Sequence, residues 1–124
     1  MSTLPPSTVI LTRRIGGSEL RRLLQEGFGE MVKFVADVER GVVAAGGELH
    51  ADQEEALLED GSRSEDLWGG NYYPGRGRER CIEFTSFINI RPARGNTSME
   101  IGDPALRDCV RSLVYRLIGE GEVL

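Results

Sequence analysis

The chain has 124 residues, 40% hydrophobic and 28% charged, with a formal net charge of −5 and two cysteines. That length and balance suit one soluble domain with an ordinary core. The acidic balance disfavours nucleic-acid binding through phosphates, no apolar run approaches membrane-spanning length, and two cysteines cannot make a disulfide framework.

Residues 1–7 are polar and contain prolines, which suggests a flexible tail ahead of a single domain over 8–124. The start, MSTLPPST, lacks the basic and apolar regions of a signal peptide, so a cytoplasmic protein with reduced thiols is expected. Thr8 to Arg13 is a β-branched run and predicts a first strand. Ser18 predicts an N-cap, followed by Leu20, Leu23, Leu24 and Phe28 at helical spacing, with Gly27 and Gly29 as the stop.

Residues 31–45 fit two patterns. Met31, Phe34, Val35, Val38 and Val42 would line one face of a helix. Val32, Phe34, Ala36 and Val38 would line one face of a strand. The valine density, Gly41 and the Gly46-Gly47 pair favour a hairpin, Met31 to Glu39 and Val42 to His50, and the helix stays open as the alternative.

Asp52 with Glu55 three residues on resembles a capping box and predicts a helix from Asp52 to Asp60, stopped by Gly61. Leu67 to Tyr73 is a predicted strand, and 74–80 a loop holding the basic run Arg76, Arg78 and Arg80. Cys81 to Pro92 (CIEFTSFINIRP) has the clearest alternation in the chain. Ile82, Phe84, Ile88 and Ile90 share one parity, and Glu83, Thr85, Asn89 and Arg91 the other. It predicts a central strand with one buried face, ended by Pro92. Asp103 and Pro104 then open a last helix whose apolar side holds Leu106, Cys109, Val110, Leu113, Leu117 and Ile118.

The order β-α-β-β-α-β-β-α predicts an α+β fold, with three helices on one face of a mostly antiparallel sheet of about five strands. Strand parity then gives the second face its residues. Lys33, Asp37, Asn71, Glu83, Asn89 and Arg91 are the candidate ligand-binding set, with Glu39 and Tyr73 beside them. The plain reading of such a set is a hydrated face whose ion pairs contribute little. His50 is the only histidine. With Asp52 and Glu83 it forms the candidate catalytic set, as a base oriented by a carboxylate. The spacing around it matches no established metal-ligand pattern, so no metal and no cofactor are expected. The commoner role of such a histidine is a structural hydrogen bond at an element junction. Trp68 reads as a packing residue, and Gly69-Gly70 and Gly75-Arg76-Gly77 lack the ending of a phosphate loop.

Three readings follow. The first is a binding domain that holds a small polar ligand or a partner protein on the polar sheet face. The second is a small metal-dependent or His/carboxylate hydrolase-like enzyme. The third is a homodimer that uses the face or a sheet edge as its interface.

Several stretches carry a resemblance: Gly46 to Asp52 (GGELHAD), Leu58 to Ser62 (LEDGS), Asp66 to Asn71 (DLWGGN), Ile82 to Pro92 and Gly95-Asn96, together with Met31-Val32-Lys33 and Asp37-Val38-Glu39. Over nearly the whole domain the chain resembles a family of small bacterial proteins, a domain of unknown function. The resemblance implies that the polar residues of these stretches are a shared feature. It carries no catalytic residue and no substrate.

Overall fold

The computed structural model describes residues 8–124, so the expected tail over 1–7 lies outside the described residues. Five strands, β1 (Val9–Leu11), β2 (Val32–Asp37), β3 (Val42–Ala45), β4 (Leu67–Tyr72) and β5 (Ile82–Glu83), alternate with three helices, α1 (Gly17–Glu26), α2 (His50–Glu59) and α3 (Pro104–Leu117). The sheet runs β1-β3-β2-β4-β5, with every neighbouring pair antiparallel. The fold is α+β, in the element order expected.

The hairpin over 31–45 is present, with Phe34 opposite Ala45 and Val35 opposite Ala44. Its turn is made by Asp37. The carboxylate Oδ1 accepts the N–H groups of Glu39 and Arg40 at 2.9 Å each, and Gly41 takes φ +70°. An acid that satisfies two turn amides, followed by a glycine that supplies positive φ, defines the reversal locally.

Alternation through β2 and β3 builds two cores. Val32, Phe34, Ala36, Val43 and Ala45 face Leu20, Leu23 and Leu24 of α1 and Val110, Val114 and Leu117 of α3. Val35, Ala44 and Leu67 face Leu57 of α2, with Ile88 packed beside them. The helices therefore cover both faces, against the expectation of one. The reason is in β2 and β3, which are apolar on both sides (Val35 falls between Lys33 and Asp37), so each face needs a cover.

The expected strand over 81–92 is the largest correction. Only Ile82 and Glu83 pair with β4. Beyond them the chain folds into two short 3₁₀ turns, Phe87–Asn89 and Pro92–Arg94. Ser86 caps the first, its Oγ accepting the Ile88 N–H at 3.2 Å. Asn89 then takes over the ladder with its side chain. Oδ1 accepts the Gly69 N–H at 2.8 Å and Nδ2 donates to the Gly69 carbonyl at 2.9 Å. Phe87 and Ile90, placed by alternation on opposite sides, are both exposed.

Smaller differences follow the same logic. Gly16, not Ser18, precedes α1. Phe28 lies beyond that helix and is half-exposed, and Cys109 is exposed rather than on the apolar side of α3, whereas Cys81 is buried. The end of α1 and the start of α3 are as read, the latter with Asp103 Oδ1 accepting the Ala105 N–H at 3.0 Å. No helix among the described residues is long and apolar enough to cross a membrane.

Candidate functional site

α2 covers the second sheet face over Val35, Ala44 and Leu67, and stops at His50. Beyond it the register of β2, β4 and β5 sets Lys33 opposite Asn71 and Asn71 opposite Glu83. Directly opposed residues share a face, so the three form one row across about 10 Å of sheet. Gly70 lets the strands close up behind the row. A Cβ at Gly70 would stand 2.5 Å from the Glu83 carbonyl oxygen and 2.6 Å from the Phe34 ring.

At one end of the row Glu83 Oε1 accepts from Asn71 Nδ2 at 3.1 Å and from the Tyr73 hydroxyl at 2.6 Å. Desolvation pushes the Tyr73 hydroxyl up to about 12, and the hydrogen bond to the Glu83 carboxylate and its charge add to the effect. The guanidinium of Arg76 lies 3.7 Å from the Tyr73 ring centre. At the other end stands Lys33, the only lysine among 15 basic residues. Its ammonium sits 5.6 Å from the centre of the Phe28 ring. Phe28 and Leu49 line an adjoining cavity of about 320 Å³.

His50 closes the row. It is the first residue of α2, not the end of a strand, because Gly46 and Gly47 turn the chain with φ of +92° and +96°. Its Nε2 lies 2.7 Å from the Gly70 carbonyl oxygen. Burial lowers its pKa, the Lys33 charge lowers it further, and the Gly70 bond acts the other way. A helix N-terminus also disfavours a cation. The imidazole is thus neutral at neutral pH. Because a carbonyl only accepts, the proton sits on Nε2 and the lone pair on Nδ1.

The structure brings together Lys33, Asn71 and Glu83, with His50 and Tyr73 beside them. It does not bring in the rest. Asp37 is fully buried in the hairpin turn, four residues and about 13 Å along β2 from Lys33. Asn89 is fully buried on Gly69. Arg91 donates from Nε to the Ile88 carbonyl at 2.9 Å and reaches Glu54 at 3.5 Å and the Trp68 ring at 5.5 Å.

The candidate catalytic set does not converge either. Asp52 accepts the Leu49 N–H at 3.0 Å from the third position of α2, so it braces the helix start rather than the imidazole. Glu83 is engaged by Asn71 and Tyr73. Among the described residues no carboxylate bonds His50, and no three His, Cys, Asp or Glu side chains gather as a metal site. The apolar rim of Phe28 and Leu49 escaped sequence reading, since Phe28 fits the heptad of α1. Its place between Gly27 and Gly29 was the one available signal.

Fold and row together define a small α+β protein with a polar strip on an otherwise covered sheet. The chain belongs to the family described as Protein of unknown function (DUF5674), whose model matches residues 9–117. No curated protein and no solved structure matches the chain.

Proposed function

We propose that the protein is a binding domain that holds a small polar ligand on the Lys33–Asn71–Glu83 row. One observation carries the reading. Where α2 could have continued to cover the sheet, it begins at His50 and leaves a cation, an amide and a carboxylate in register. The ligand suited to this order has an anionic group at one end and a hydrogen-bond donor at the other. Lys33 and the first N–H groups of α2 receive the anion, and Glu83 accepts from the donor. Short hydroxy acids and amino acids have that form. Phe28 and Leu49 would cover an apolar substituent.

The single lysine provides the test. Reductive methylation with ¹³C formaldehyde labels Lys33 and the chain's α-amino group, and NMR separates the two. Titration with a panel of hydroxy acids and amino acids should move the Lys33 signal saturably, and Glu83→Gln should weaken the effect for ligands bearing a donor. A Lys33 signal that no member moves at millimolar concentration sinks the proposal. So does one that changes only with protein concentration, which would point to a second copy on the strip.

A further inference from the structure

The two edges of the sheet differ. Beyond β5 the chain closes the edge itself, the Ile101 N–H donating to the Phe84 carbonyl and the Ser86 N–H to that of Met99, both at 3.0 Å. At the opposite edge β1 has β3 on one side and no strand on the other. Its free groups follow from the ladder. The Gly46 N–H donates to the Lys33 carbonyl at 3.1 Å, so Gly46, Ala44 and Val42 bond toward β2. Val43 and Ala45 therefore bond toward β1, where they pair with Leu11 and Val9. Alternation turns the N–H and C=O groups of Thr8, Ile10 and Thr12 outward, and they have no backbone partner among the described residues.

Open edge strands are ordinarily blunted by charged side chains, proline or a bulge. Thr8 to Thr12 (TVILT) carries no charge and no proline, and its register with β3 runs unbroken. The segment also fits a copy of itself. Thr8 and Thr12 stand two residues to either side of Ile10, so a two-fold axis at Ile10 sets Ile10 opposite the partner's Ile10 and Thr8 opposite the partner's Thr12. All these pairs are of the hydrogen-bonded kind and exchange two bonds each. Val9 then meets the partner's Leu11 on the side of α1 and α3, and the isoleucines meet on the side of α2. Charge selects the antiparallel order. It holds Arg13 of the two copies about 20 Å apart along the strands, beyond the Debye length of about 8 Å. Parallel pairing would set them side by side.

We propose that β1 pairs with β1 of a second copy of this chain about a two-fold axis at Ile10, joining two five-stranded sheets into one. The proposal does not rest on the Lys33 row, which begins two strands in from this edge. A strand pair this short makes a contact below about 1,200 Å², the class of weak interfaces, so the dimer forms at high protein concentration and dissociates on dilution.

Sedimentation of the full chain from about 5 to about 500 µM, the range in which a weak interface associates, should show a monomer passing to a dimer. Hydrogen exchange of the unmodified chain reads the edge directly. The Ile10 amide, which has no partner within the fold, should exchange at least about tenfold more slowly at the high concentration than at the low. The axis makes a sharper demand, because residue 10 faces itself. Ile10→Lys and Ile10→Glu should each stay monomeric, since like charges then stand directly opposed, and an equimolar mixture of the two should dimerise. Ile10→Pro removes only the outward N–H and spares the ladder bonds of Val9 and Leu11, so it should fold and remain monomeric. It decides the matter if either charged variant fails to fold. A parent that stays monomeric throughout would overturn the proposal. So would an Ile10 amide whose exchange ignores concentration, which would give the edge an intramolecular cover. A folded pair of charged variants that does not associate on mixing, or an Ile10→Pro variant that still dimerises, would place any dimer contact elsewhere and overturn it equally.

Discussion

The side chain of Asn89 pairs with the backbone of Gly69 as another strand would, accepting its N–H at 2.8 Å and donating to its carbonyl at 2.9 Å. The same Nδ2 donates to the Met99 carbonyl at 3.0 Å. One buried amide thus ends the β4 ladder and ties in the loop that follows β5. Truncation leaves the buried N–H and carbonyl of Gly69 without partners, each costing about 1–3 kcal/mol when unsatisfied. Asn89→Ala should therefore lose roughly 3 kcal/mol or more in denaturant unfolding. A loss below about 1 kcal/mol would mean that water replaces the amide without penalty.

That pairing also shows why CIEFTSFINIRP misleads. Its alternation is real, but two features inside it compete with a strand. Ser86 caps the turn that follows it, and Asn89 reaches the ladder with its side chain. Both are polar residues whose local bonds can replace backbone pairing, and a hydropathy pattern does not register them. By contrast, the hairpin over 31–45 was legible from its valine density and from Gly41, which takes the positive φ of the turn, and the start of α3 from Asp103 with Pro104. The candidate site was half legible. Parity put Lys33, Asn71 and Glu83 on one face, and register confirms the row. Parity also placed Asp37 and Arg91 there, because it cannot tell that an acid is committed to a turn or that a strand has already ended.

Leu57 is fully buried and is the side chain by which α2 holds Val35, Ala44 and Leu67. Leu57→Ala should cost about 2–5 kcal/mol, the range for a buried leucine that leaves a cavity. Because α2 carries His50, the loss should also speed amide exchange at residues 50–57 before global unfolding. Uniform exchange across the sheet and α2 would show that the helix does not open as a separate unit.

The Tyr73–Glu83 bond makes the phenol a reporter of the row. Burial is the first cause of its raised pKa, near 12, and Glu83 contributes the next two, through the hydrogen bond and through charge. Glu83→Gln removes the charge and keeps an acceptor. The Tyr73 ring signals should then titrate at a lower pH than in the parent, while still above 10 because burial persists. An unchanged midpoint would place the Glu83 carboxylate away from the hydroxyl in solution.

His50 links stability to pH with a definite sign. Its folded pKa lies below its ordinary value of 6.5, chiefly because burial disfavours the charged ring. Between those two values the unfolded chain binds more protons than the folded one, so stability rises with pH. The contribution is complete above about 6.5 and is lost as pH falls through 6.5 toward the folded value. His50→Gln keeps a donor for the Gly70 carbonyl and cannot titrate. The unfolding free energy of the parent should fall faster than that of the variant as pH is lowered from 7.5 to 5.5. Parallel curves would mean that the imidazole is equally protonated folded and unfolded, and a steeper fall in the variant would reverse the sign. A bound anion on Lys33 would offset part of the cation's charge and raise the His50 pKa. The same titration repeated with a ligand from the active panel should therefore show a shallower fall in the parent and no change in the variant's slope.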